Sequence, residues 1–137
     1  LEGDSLLEIS EKLSETGIMT KEDFMKLSKE PDFLAFYDIE SNSIEGYIFP
    51  DTYFIPKGVL PEDAVGSMID RMREKYSHEL LARTEEIGMT EREVLTLASI
   101  IEKEAVVDSE RQLISAVYRN RLKKNILIIL LFENWLK

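Results

Sequence analysis

The sequence predicts an α+β fold that is mostly helical, with one short β element near its middle. Apolar residues recur at helical spacing through most of the chain. Two Ser/Thr-x-x-Glu pairs, Ser5 with Glu8 and Thr90 with Glu93, have the form of capping boxes, in which two backbone N–H groups at a helix start find side-chain acceptors. Residues 43–58 break the pattern, being rich in aromatic and β-branched side chains punctuated by Gly and Pro.

The elements follow in order. A first helix starts at Asp4 or Ser5, turns Leu6, Ile9 and Leu13 to one face, and stops at Gly17. A second starts after Thr20, buries Phe24, Met25 and Leu27, and ends at Pro31. Residues 32–37 form a short helical turn. The segment Ser43-Ile44-Glu45-Gly46-Tyr47-Ile48-Phe49-Pro50-Asp51-Thr52-Tyr53-Phe54-Ile55-Pro56-Lys57-Gly58 reads as short strands joined by a turn at Pro50-Asp51, with a subdomain boundary just before it. Pro61 suits the first position of a long helix that passes through Ala64, Met68, Ile69 and Met72 to about Thr84. After Gly88, the Thr90 box opens a helix through Val94, Leu97, Ala98 and Ile101. A last helix covers residues 109–123 with Leu113, Ile114, Val117 and Leu122.

Composition excludes several function classes. The chain has 137 residues, 44% hydrophobic and 32% charged, which suits a folded domain rather than a disordered one. With 27 acidic and 17 basic residues the net charge is −10, which opposes non-specific nucleic-acid binding, since that needs a basic face. The absence of cysteine removes disulfides, thiolate nucleophiles and cysteine-type zinc sites, and the single histidine, His78, lies in a charged stretch and is expected at the surface. No metal or other cofactor is expected. The run Ile126–Phe132 is seven residues long, short of the ~20 that a membrane span requires. The start at Leu1-Glu2-Gly3, without Met, reads as that of an excised fragment.

The candidate chemistry lies in Ala98-Ser99-Ile100-Ile101-Glu102-Lys103-Glu104-Ala105. On a wheel of about 100° per residue, Val94, Leu97, Ala98, Ile101 and Ala105 form an apolar stripe. Glu104 falls at its edge and Glu102 is rotated further toward solvent. A carboxyl group at an apolar edge tends to hold its proton, as a general acid for glycosidic cleavage must. The same pattern also fits two ordinary solvated glutamates.

The strings Ile44-Glu45-Gly46-Tyr47-Ile48-Phe49-Pro50-Asp51-Thr52-Tyr53, Leu97 to Ala105, Glu110-Arg111 and Asn120-Arg121-Leu122 resemble, in order and spacing, those of the YceG-like family, the endolytic murein transglycosylases also called MltG. The resemblance covers residues 1–125. It implies a partial LysM-like subdomain over residues 1–40, an incomplete lysozyme-like catalytic domain over 41–125, and an atypical apolar tail over 126–137. It also implies peptidoglycan glycan strands as substrate, cell-wall synthesis proteins as further candidate partners, and a place outside the bacterial cytoplasmic membrane, through a single anchor absent from this chain. The implied reaction is a lytic transglycosylation in which one glutamate serves as acid and then as base. Glu104 is favoured for that role on the wheel and because the catalytic glutamate of other lytic transglycosylases is followed by a small residue, as Glu104 is by Ala105. Glu102 is the runner-up, or a structural residue paired with Arg111 or Arg121. Glu45, Asp51 and Tyr53 are candidates for the sugar cleft, although Tyr47, Phe49 and Tyr53 equally suit a core and Asp51 a turn. Asn120 is a candidate for an acetamido contact or for positioning the acid, and Arg121 for pairing with a carboxylate.

After Asn125 the chain departs from the family pattern. A Leu-Gln-Ser-Asp-Pro-Thr-Val type of stretch is replaced by Ile126-Leu127-Ile128-Ile129-Leu130-Leu131-Phe132. Two alternatives to an active enzyme follow: an incomplete module that binds peptidoglycan or scaffolds cell-wall proteins without cutting, and a plain helical interaction domain.

Overall fold

The computed structural model describes residues 4–123. Among them are seven α-helices, one 3-10 turn and no strand. Tertiary contacts divide the chain into two compact units, with the boundary between Val94 and Leu95. The apolar tail and the first three residues lie outside the described residues.

Helix α1 spans Leu6–Glu15, and its capping box is formed: Ser5 Oγ accepts from the Glu8 amide while the Glu8 carboxylate accepts from the Ser5 amide at 2.7 Å. Leu6 and Leu13 are buried and Ile9 is half-buried on one face, as the spacing requires. Helix α2 spans Lys21–Leu27 with Thr20 as its cap, and packs against α1. It buries Phe24 completely, a contribution of roughly 1.5–3 kcal/mol from apolar area; Met25 and Leu27 are half-buried. Pro31 does more than end α2. It occupies the first turn of α3, Pro31–Phe36, where its missing N–H costs nothing. Leu34 points inward and Phe36 is 78% exposed.

The expected short strands are absent. Residues 43–58 are extended and turn backbone without a ladder. The turn falls earlier than Pro50-Asp51: the Tyr47 amide donates to the Ile44 carbonyl at 3.0 Å, and Gly46 has φ +84°, a conformation open to glycine at the third position of a turn. The Ile44 amide is taken by the Ser28 carbonyl at 2.9 Å and the Phe49 amide by Met68 O at 3.4 Å. The segment thus satisfies these amides on helices rather than on a neighbouring strand. Its aromatic and aliphatic content serves burial, with Ile44 and Tyr47 in the core.

The long helix expected from Pro61 to Thr84 is two helices, α4 over Pro61–Lys75 and α5 over His78–Glu86. The break has a local cause. Tyr76 leaves helical geometry with ψ 70°, and Ser77 caps the new helix by accepting from the Leu80 amide at 3.4 Å. The Tyr76 and Thr84 hydroxyls then bond at 2.5 Å, tying α5 to the end of α4. His78, at the start of α5, is exposed. Ala64, Val65, Met68, Ile69 and Met72 of α4 complete the core of the first unit.

Helix α6 spans Glu91–Glu104 and opens on the Thr90–Glu93 box, with the Thr90 amide donating to Glu93 at 2.7 Å and the Glu93 amide to Thr90 at 3.2 Å. A 3-10 turn at Asp108–Glu110 leads into α7, Arg111–Lys123. In the second unit no described residue is buried; Leu97, Ile100, Ile101 and Ala105 are half-buried and Leu113 is 69% exposed. No helix among the described residues is long and apolar enough to cross a membrane.

Candidate functional site

The predicted site residues fall in both units. In the first, Glu45 is exposed on the Ile44–Tyr47 turn. Asp51 is held at both oxygens: Oδ1 accepts from the Thr52 amide at 2.8 Å and Oδ2 from Arg71 Nε at 2.8 Å. The amide bond first, and the guanidinium second, hold its carboxyl below the usual aspartate range. The Tyr53 hydroxyl donates to the Phe49 carbonyl at 2.5 Å, closing the Phe49–Tyr53 bend on itself. Burial, and then the nearby Asp51 charge, push this phenol above its ordinary value.

Near the end of α4 stand three cations that sequence reasoning missed. Arg71 bridges Asp51 and Glu74. Arg73 pairs with Glu91, donates to the Tyr37 carbonyl at 3.1 Å, and lies 5.5 Å from the centre of the Tyr47 ring. Lys75 stands 5.9 Å from the Phe49 ring centre. The alternation Arg71, Arg73, Lys75 is visible in the sequence, but the apolar spacing of that helix does not reveal what these cations touch. Which aromatic Arg73 and Lys75 each cover is decided by the path of residues 44–53. Tyr47 itself is in the core, and burial is the main reason its phenol lies above the ordinary range.

In the second unit, Glu102 and Glu104 both belong to α6 and both are exposed. Two residues apart at about 100° each, they project to opposite sides of the helix, so any one face of α6 presents only one of them. The Glu104 side chain stands in the open at the last position of α6, with the following amide, Ala105 N–H, still donating to Ile101 O at 2.9 Å. Asn120 and Arg121 are exposed on α7. Neither expected partner of Glu102 is seen with it. Arg111 pairs with Asp108 at 2.9 Å, and the Arg121 guanidinium lies 5.7 Å from the Tyr118 ring centre.

The first unit also carries an open cleft of about 610 Å³, bordered by the α1–α2 connection, α2 and the start of α4, with Asp23, Lys26, Glu30 and Glu62 on its walls. None of the predicted site residues lines it. No group of three or more His, Asp or Glu among the described residues has an arrangement able to hold a metal ion.

The first unit presents a cation-braced aromatic segment, and the second an exposed Glu-x-Glu pair at a helix end. The profile of the YceG-like family matches residues 1–130, and the chain belongs to that family. Over 82 residues it is 34% identical to a protein named endolytic murein transglycosylase from Streptococcus pneumoniae serotype 2 (strain D39 / NCTC 7466), covering 60% of this chain and 15% of that protein. It is 35% identical over 82 residues to the endolytic murein transglycosylase of Bacillus subtilis (strain 168), covering 59% of this chain and 22% of that protein. The matched stretch thus spans less than a quarter of either relative. No solved structure matches significantly.

Proposed function

We propose that this chain is part of a lytic transglycosylase that cleaves the bond between N-acetylmuramic acid and N-acetylglucosamine within peptidoglycan strands, leaving 1,6-anhydro ends. The observation that carries the reading is family membership over residues 1–130, joined to relatives that bear the name endolytic murein transglycosylase. In this reading residues 1–40 form a LysM-like subdomain and residues 41–125 part of a lysozyme-like catalytic domain. The whole protein works outside the cytoplasmic membrane on an N-terminal anchor, beside cell-wall synthesis proteins.

Glu104 is the acid and base. Its carboxyl gives a proton to the bridging oxygen as the bond from that oxygen to muramyl C1 breaks. The resulting carboxylate then takes the proton of the muramyl 6-hydroxyl as that oxygen bonds to C1. The proton returns to Glu104, no water is consumed, and one carboxylate serves where most glycosidases use two. Support for Glu104 over Glu102 comes from the small Ala105 that follows it and from its terminal place on α6, while both side chains are exposed. Exposed Asn120 contacts an acetamido group and exposed Glu45 a sugar hydroxyl. Asp51 and Tyr53 shape the sugar-binding backbone through the bonds to Arg71 and Phe49 rather than by free polar groups. Arg121 supplies positive charge on α7.

A second reading is favoured by one observation: Asp51, Tyr53 and Arg121 already have contacts within the chain. In that reading the module binds peptidoglycan or scaffolds cell-wall proteins without cutting. Incubation with purified peptidoglycan and mass spectrometry of the products separates the two. The enzyme reading expects anhydromuramyl ends, lost in Glu104→Gln and kept in Glu102→Gln. Strand binding without cleavage would establish the second reading.

A further inference from the structure

The chain that follows Glu104 has little burial to hold it. Val106 is 90% exposed and Val107 is 51% exposed and extended, at φ −132° and ψ 149°. Loops without buried side chains are positioned by their hydrogen bonds. Glu110 provides two. Its carboxylate Oε2 accepts from the Val106 amide at 3.2 Å, reaching back four residues to a point two residues beyond Glu104. Its own amide donates to the Val107 carbonyl at 3.0 Å, and the Asp108–Arg111 pair closes the other side of the same turn.

We propose that Glu110 is a positioning residue for the reaction: its carboxylate clamps the turn between α6 and α7 and so fixes where the Glu104 carboxyl stands. The inference rests on Glu104 being the acid and base. Glu110 does not touch the substrate. It acts through the Val106 amide, which without it is bonded to water and leaves the end of α6 free to fray. A catalytic group displaced by about 1 Å loses roughly a hundredfold in rate, so a surface hydrogen bond at this point carries a kinetic effect larger than its effect on stability.

The test pairs kinetics with amide hydrogen exchange on the same proteins. In Glu110→Ala, exchange at Val106 is expected to quicken by on the order of tenfold, the factor that about one hydrogen bond carries. In the same variant kcat on peptidoglycan is expected to fall roughly 10- to 100-fold with KM unchanged. Glu110→Gln keeps a carbonyl acceptor in place and is expected to recover most of both losses. Unchanged Val106 exchange in Glu110→Ala would overturn the clamp, as would an unchanged kcat in a protein that Glu104→Gln inactivates. A Glu104→Gln protein that cleaves at the parental rate would instead overturn the reading of Glu104 on which the proposal rests. Because exchange is read without substrate, it tests the clamp even in a protein that does not cut.

Discussion

Replacing Arg73 with Met is expected to destabilise the first unit far more than a surface substitution does. Its side chain is 32% exposed and that of its partner Glu91 19%. Met keeps most of the aliphatic stem and removes the guanidinium, so packing is largely spared. The bond to the Tyr37 carbonyl at 3.1 Å is charge-assisted and contributes about 1.5–3 kcal/mol. The guanidinium over the Tyr47 ring at 5.5 Å adds about 0.5–1 kcal/mol. The partly exposed Glu91 pair adds up to about 1 kcal/mol. One group makes all three contacts, so they overlap, and a net loss of about 2–4 kcal/mol is expected. Against a domain stability of about 5–15 kcal/mol this moves a urea midpoint well outside error, at constant slope. Lys cannot span three partners with a planar fork, and Arg73→Lys is expected to recover less than half the loss. A double-mutant cycle with Glu91→Gln should show coupling of about 1 kcal/mol. A loss below about 0.5 kcal/mol in Arg73→Met would refute the assignment of Arg73 as the brace that ties Tyr37, Tyr47 and Glu91 together.

Other outcomes follow from the same geometry. A Cβ at Gly66 would stand 1.9 Å from the Tyr37 hydroxyl and 3.0 Å from its ring carbon. Gly66→Ala is therefore expected to cost about 1–3 kcal/mol of overpacking, offset by about 1 kcal/mol of helix propensity, and thermal unfolding should show a smaller cost in a Tyr37→Phe background. Stabilisation by Gly66→Ala in the parent would contradict the contact. Ser77→Ala removes the cap of α5 and is expected to cost about 0.5–1 kcal/mol in urea denaturation, with no loss counting against the cap as the cause of the α4–α5 break. Tyr37, Tyr47 and Tyr53 have phenols raised by burial, so the stability they contribute is complete below the ordinary tyrosine value and is lost as pH rises through their folded values. Ultraviolet titration should show them ionising after free tyrosine, and ionisation alongside it would contradict their burial. Asp51 has the opposite sign. Its carboxyl is lowered, so its contribution holds above the ordinary aspartate value and is lost as pH falls through the folded one. Carboxyl NMR should place its midpoint below that of free aspartate, and a midpoint at or above it would contradict the Thr52 and Arg71 bonds.

The helices were legible where their ends carry local chemistry. Ser5, Thr20 and Thr90 each announce a start that the structure realises with a side-chain cap. Ser77 is the same kind of residue, but no Glu stands three positions later to complete a box, and the charged stretch after it continues a helical pattern. The break between α4 and α5 was hidden for that reason. Residues 43–58 were misread for a different one. Aromatic and β-branched residues mark a half-buried surface, and periodicity does not reveal whether a strand or a helix face completes it. Here the partners are Ser28 and the residues of α4. In the candidate site, the Glu-x-Glu pair and its helix were readable, but the Arg73 brace and the Glu110 clamp were not. Both depend on which backbone groups a fold brings within reach of a charged side chain, and spacing along the chain does not encode that.

The most direct test of the central claim is the source of the new sugar end. Peptidoglycan cleaved in heavy-oxygen water should yield anhydromuramyl ends that carry no label, because the muramyl 6-hydroxyl closes the ring, and Glu104→Gln should yield none. Reducing ends that carry the heavy oxygen would show that water attacks C1, and would contradict a transglycosylase built on Glu104.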